Sequence, residues 1–102
     1  MSTNWKSLAT VTQGTAAVGT ASTQILAANS ERTYAILINY GTIDVTIGIE
    51  SAAILNAGIV LPADGGFYEM SGENGNNVRG MVTAICLTTP TIINYMQAGG
   101  GV

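Results

Sequence analysis

Residues 33–50 read Thr33-Tyr-Ala-Ile-Leu-Ile-Asn-Tyr40, Gly41-Thr42, Ile43-Asp-Val-Thr-Ile-Gly-Ile-Glu50, and their alternation decides the fold class. In the second half Ile43, Val45, Ile47 and Ile49 alternate with Asp44, Thr46, Gly48 and Glu50. A period of two places one set on a core and the other toward solvent or a polar interface. The first half puts Tyr34, Ile36, Ile38 and Tyr40 on one face, and Ala35, Leu37 and Asn39 on the other, so both faces read as buried. With Gly41-Thr42 as a tight connection, the two runs are expected to pair as a hairpin.

The flanking sequence repeats the pattern in short pieces. Thr23–Ala27 is a candidate strand closed by a turn at Asn29-Ser30-Glu31, and Gly58–Leu61 is another, stopped by Pro62. Phe67–Ser71 follows the turn Asp64-Gly65-Gly66, and Met81–Thr88 and Thr91–Gln97 are separated by Thr89-Pro90. Asn74-Gly75 is the pair preferred in a type I′ hairpin turn. Ser51–Asn56 suits a short helical turn or a loop. These signals predict an all-β chain: a single antiparallel β-sandwich or jelly-roll-like barrel of about seven or eight short strands. Residues 1–22, rich in Thr, Ala, Ser and Gly with Trp5 as their one aromatic, read as an extended N-terminal arm or an edge strand that gains order by lying on something else. The sandwich domain is expected over 23–98, and Gly99-Gly-Gly-Val102 as a flexible tail.

Composition narrows the function. The 102 residues include three Lys and Arg, six Asp and Glu, one Cys, thirteen Gly and no His. The pI is near 4.4 and the mean hydropathy is +0.36. Charged residues make up 9% of the chain, against roughly 25% in soluble domains. So neutral a surface favours self-association unless an oligomer or a lattice covers it. Lys6, Arg32 and Arg79 stand singly, which argues against nucleic acid as a partner. The apolar runs are too short to span a membrane, and Met1–Lys6 lacks the apolar core of a signal peptide. Cys86 alone makes neither an internal disulfide nor a cysteine zinc cage. Synthesis and folding in a cytoplasm are expected.

Chemistry finds little to use, and no catalytic, cofactor-binding or metal-binding residue is expected. A Ser or Cys nucleophile wants a neighbouring base, and histidine is absent. Cys86, between Ile85 and Leu87, reads as a small apolar group in a strand. Asp44 and Glu50 share one strand face but lie roughly 20 Å apart, too far to work as a pair. The Gly-rich turns lead into no Lys-bearing helix, so they read as positive-φ positions and not as phosphate cradles. Tyr34, Tyr40, Phe67, Tyr68 and Tyr95 suit a core or a subunit interface better than a sugar platform. Trp5 either anchors the arm on a partner or folds back on its own sandwich. Arg32 and Arg79, each after a turn, suit carboxylate pairing inside the chain or across a contact. The candidate interface residues are therefore Trp5, Lys6, Arg32, Tyr40, Arg79 and Tyr95.

Gln24-Ile-Leu-Ala-Ala-Asn-Ser-Glu-Arg32 leads into Ala35-Ile-Leu-Ile-Asn39. Val45-Thr-Ile-Gly48, Gly58-Ile-x-Leu61, Gly65-Gly-x-Tyr-Glu69 and Gly80-x-Val-x-Ala-Ile85 follow. Over residues 23–87 this pattern resembles small structural proteins of tailed bacteriophages, especially capsid decoration (cement) and head-fibre modules. It implies a β-rich, often trimeric protein on the capsid exterior of a virion, partnered by the major capsid protein and by its own copies. The function expected on that basis is to stabilise the shell by bridging its subunits. The alternative is a tail or fibre module that binds a host receptor or glycan.

Overall fold

Two four-stranded antiparallel sheets build the protein in the computed structural model, which describes residues 9–71, 75, 79–88 and 91–100. The strands are β1 (Ala9–Val18), β2 (Thr23–Leu26), β3 (Arg32–Asn39), β4 (Val45–Ile49), β5 (Ile59–Leu61), β6 (Phe67–Ser71), β7 (Val82–Cys86) and β8 (Thr91–Gly100). The first sheet runs β1-β8-β3-β6 and the second β2-β7-β4-β5. The ladders β1–β8, β2–β7, β3–β6 and β4–β5 nest one inside another, and β3–β8 and β4–β7 complete the sheets. This is the strand order of a two-sheet jelly roll, so the expected all-β sandwich is the fold observed.

Period-two alternation fills the space between the sheets. Ala35 and Leu37 of β3, Val45 and Ile47 of β4, and Met70, Val82 and Ile93 are all essentially inaccessible to solvent. Thr46, on the face expected to be polar and open, is buried as well. The 51–58 segment is a loop, and it folds over that face. The Asn56 N–H donates to Thr46 Oγ1 at 3.0 Å, while a Cβ on Gly48 would stand 2.8 Å from the Ala53 Cα.

Two bulges break the alternation, and each turns a side chain inward. In β2 the register shifts between Gln24 and Leu26, so the adjacent Ile25 and Leu26 are both buried. In β3 it shifts between Arg32 and Tyr34. Without that extra residue Arg32 would share the outward face of Tyr34 and Ile36. With it, Arg32 is fully buried. Its Nε donates to Gln97 Oε1 at 2.8 Å, Nη1 to the Gly80 carbonyl at 3.1 Å and Nη2 to the Ala27 carbonyl at 2.7 Å. Gln97 lies on β8 of the first sheet, and Ala27 and Gly80 flank β2 and β7 of the second. One guanidinium thus ties the layers together. Burial pushes it below its ordinary pKa, and its directed hydrogen bonds offset the cost of desolvating the charge.

Asn39 does the same at the other end of β3, and it corrects the expected hairpin. β3 and β4 do not pair: β3 lies between β8 and β6, and β4 between β7 and β5. Both strands carry a fully buried inner face, and those faces meet across the core only if the chain changes sheet between them. The buried Asn39 side chain fixes that corner. Nδ2 donates to the Ile43 and Leu61 carbonyls at 2.8 and 3.0 Å, and Oδ1 accepts from the Gly41 N–H at 3.0 Å. Gly41 has no room for a side chain, because a Cβ would collide with Thr91 Oγ1. The described strands that flank Asn74-Gly75 do not pair with each other, for a related reason. The flanking strands β6 and β7 belong to different sheets, although Gly75 does take a positive φ of 76°; Asn74 lies outside the described residues.

The sandwich extends beyond both boundaries read from the sequence. Residues 9–18 of the expected arm are β1, paired with β8 along its whole length and anchored by the fully buried Val18. Gly99 and Gly100 of the expected tail continue β8. Gly99 faces Arg32 across the bulge so closely that a Cβ would meet the Glu31 carbonyl and stand 2.6 Å from the Arg32 Cα.

Replacing Arg32 by Met strands three part-buried acceptors, and urea denaturation should show a loss of about 3 kcal/mol. Arg32→Lys should recover only part of it, because a single ammonium cannot reach three divergent acceptors in the geometry of the guanidinium fork. A stability within about 1 kcal/mol of wild type for Arg32→Met would refute the bracket.

Candidate functional site

The outward side chains of the first sheet form an almost uncharged surface. Ile36 lies opposite Met96 on β8 and Glu69 on β6, and Ile38 lies opposite Asn94 and Phe67. Gln13, Thr15 and Ala17 of β1 continue these rows beside Met96, Asn94 and Ile92. Apolar groups on this face are open to solvent: Val11 is 60% exposed, Phe67 63% and Ile92 50%. A shallow groove of about 420 Å³ crosses the face between Gln13 and Thr15 on one side and Ile36 and Ile38 on the other. A second hollow shares Thr15 and Asn94 with it and continues to Tyr40, Thr42 and Ile92.

Glu69 is the one charged residue among the described outward side chains of these four strands. The Tyr34 hydroxyl donates to its Oε2 at 2.6 Å. That hydrogen bond, helped by burial and by the carboxylate charge, raises the Tyr34 pKa above its ordinary 10.0. The pair buries part of the carboxylate's polarity against a phenol ring and leaves the face close to neutral.

The expected interface residues fall in different places. Tyr40 is 75% exposed at the end of the groove. Tyr95 points inward and packs on the core, and its hydroxyl lies 2.9 Å from where a Gly14 Cβ would stand. Arg32 is the inter-sheet bracket and presents no surface. Arg79 is exposed beside it, with Nε donating to the Arg32 carbonyl at 3.1 Å and its own carbonyl accepting from the Asn29 N–H at 2.8 Å. Trp5 and Lys6 lie outside the described residues. Arg32 and Arg79 therefore meet at the start of β3, and Tyr40 marks its far end. The aromatics divide too: Tyr68 and Tyr95 pack on the core, whereas Tyr40 and Phe67 face solvent.

Missing from the candidate interface residues are the outward-facing Ile36 and Ile38, which are half-buried, and Phe67 and Met96, which are exposed. The signal for them was an apolar row on each face of residues 34–40, of which only one can face the core of a two-layer sandwich. Reactive groups are few. Cys86 is buried as expected, with its thiol donating to the Val18 carbonyl at 3.3 Å and burial pushing its pKa up. Asp44 accepts from the Ala63 N–H at 2.9 Å. Among the described residues no three His, Cys, Asp or Glu side chains gather where they could hold a metal.

The Tyr34–Glu69 pair gives a pH dependence of definite sign. A phenol whose folded pKa is raised contributes stability that is fully present below pH 10.0 and is lost as pH rises through the folded value. Ultraviolet titration should show one tyrosine ionising above the ordinary range. That component should vanish in Tyr34→Phe and return to the ordinary range in Glu69→Gln. An unchanged titration curve in Glu69→Gln would remove the carboxylate as the cause.

No protein-family model, no curated protein and no solved structure matches this chain. Its own surface is what speaks for its function.

Proposed function

We propose that the protein is a structural part of a bacteriophage particle that binds the outside of the capsid and stabilises it by bridging shell subunits. The observation that carries this reading is the outer face of the first sheet: apolar, grooved, and holding one carboxylate already engaged by Tyr34. The likeness of residues 23–87 to phage decoration and head-fibre modules supplies the setting. The action is mechanical. Each bridging copy adds buried apolar area worth about 25 cal/mol per Å², and a specific contact of roughly 800 Å² per partner is within reach of one face of a four-stranded sheet. The major capsid protein is the partner, and the chain, made in the host cytoplasm, ends on the capsid exterior.

A second reading has its own support. Tyr40 and Phe67 are exposed aromatics on the same side of the molecule, as a fibre module that grips a host receptor or glycan would need. The two readings part on what the protein binds: empty shells or host cells.

Cosedimentation with undecorated shells tests the proposal. The double substitution Ile36→Lys and Met96→Lys leaves the core untouched and places two charges in the centre of the face. It should weaken shell binding by about thirty-fold or more, the scale of a lost interface hot spot. Full binding by the folded variant would sink the docking face. Binding to host cells or polysaccharide, with none to shells, would select the fibre reading. Deleting residues 1–8 tests the arm and Trp5 while keeping all of β1 in the chain. The larger deletion of 1–22 would also remove Val18 from the core and the Ser22 hydroxyl that accepts from the Ala53 N–H.

A further inference from the structure

Four strands end the two sheets, and three of them are poor templates for another strand. β5 has three residues and runs into Pro62, β2 has four and a bulge, and β6 has five and carries Glu69. β1 is different. Its ten residues, Ala9-Thr-Val-Thr-Gln-Gly-Thr-Ala-Ala-Val18, contain no charge and no proline, and among the described residues only β8, on one side, pairs with it. Every second N–H and C=O along its other side points away from the sheet. Long, flat, uncharged edges are what proteins that stay alone avoid, by short strands, charges, prolines or bulges. Here those devices appear on the other edges and not on this one.

We propose that β1 pairs with β1 of a second copy, antiparallel about a two-fold axis through Gly14, so that the two first sheets become one continuous sheet. The sequence of the strand fits its own reverse. Centred on Gly14, Gln13 meets Thr15 of the partner subunit, Thr12 meets Ala16 of the partner subunit and Val11 meets Ala17 of the partner subunit. Thr10 and Val18 close the ladder. Except at the end pair Thr10 and Val18, polar lies beside polar or small, and no like charges face each other in this register or any near it. The register also sets inward side chains opposite inward ones and outward opposite outward, whereas a slip by one residue would set the inward residues of one copy against the outward residues of the other. Gly14 at the axis has no side chain to obstruct the pairing, and Tyr95 of the same copy packs beneath it. Val11 and Ala17 then join the outer faces of the two copies into one apolar surface. The contact is isologous and closes at two copies, whereas the phage resemblance implies three. It stands independently of any binding to a shell.

The test is native mass by light scattering at micromolar concentration, read beside hydrogen exchange. Wild type should be a dimer, with both alternate sets of β1 amides protected. Gln13→Lys combined with Thr15→Lys places like charges opposite each other on both sides of the axis and should give a folded monomer by circular dichroism. Gln13→Glu combined with Thr15→Glu should do the same. Mixing the two variants sets each ammonium against a carboxylate and should restore the dimer mass. A monomeric or trimeric wild type, or a β1 in which only the amides facing β8 are protected, would overturn the pairing. So would a Lys variant that stays dimeric, or a mixture that stays monomeric.

Discussion

The two sheets of this protein are held in place by one strand with a polar clamp at each end. Arg32 reaches from β3 to the edge of the second sheet with a guanidinium that carries three directed hydrogen bonds. Asn39, seven residues on, reaches back across the opposite corner with an amide that carries three more. Between them Ala35 and Leu37 supply only apolar contact, which attracts without fixing position. A core of this kind tolerates sliding. Two buried polar groups that must find particular carbonyls do not, so the angle and offset of the sheets follow from these side chains.

That arrangement explains which parts of the structure were legible in the sequence. Period two locates a strand and names its two faces, so seven of the eight strands, β2 to β8, and the inward row of β4 could be read directly. It does not name a strand's neighbour. Gly41-Thr42 and Asn74-Gly75 both advertise local hairpins, and in both places the chain leaves for the other sheet because buried faces must meet across the core. Nor does it see a bulge. Arg32 falls on the outward parity of Tyr34 and Ile36, and one extra residue reverses it. Low complexity left the N-terminus open between an arm and an edge strand, and the stretch from residue 9 is the strand; at the other end Gly99 is there because Arg32 and Glu31 pass too close for any side chain.

The candidate surface was half legible for the same reason. Tyr40 stood out as an aromatic at a strand end and is exposed. Ile36 and Ile38 were counted as core because both faces of their strand are apolar, and the apolar residues of 34–38 do not say which face is inside. The answer is carried by Asn39, whose side chain must reach the second sheet and so takes Leu37 and Ala35 inward with it. The surface left over is poor in charge and acid–base groups but rich in area, which suits a protein that works by contact.

The nested ladders also order how the chain comes together. Only β4 and β5 pair with a strand next to them in sequence; each further ladder encloses a longer loop, and the outermost joins residues 9–18 to 91–100. Loop-closure entropy therefore favours zipping from the middle outward, with the terminal strand docking last and detaching first. A half-closed chain presents the bare flank of β8, the same length as the strand it awaits. Crowded synthesis of many copies then becomes a race between a chain's own terminus and a neighbour's, in which exchange of terminal strands is the characteristic error.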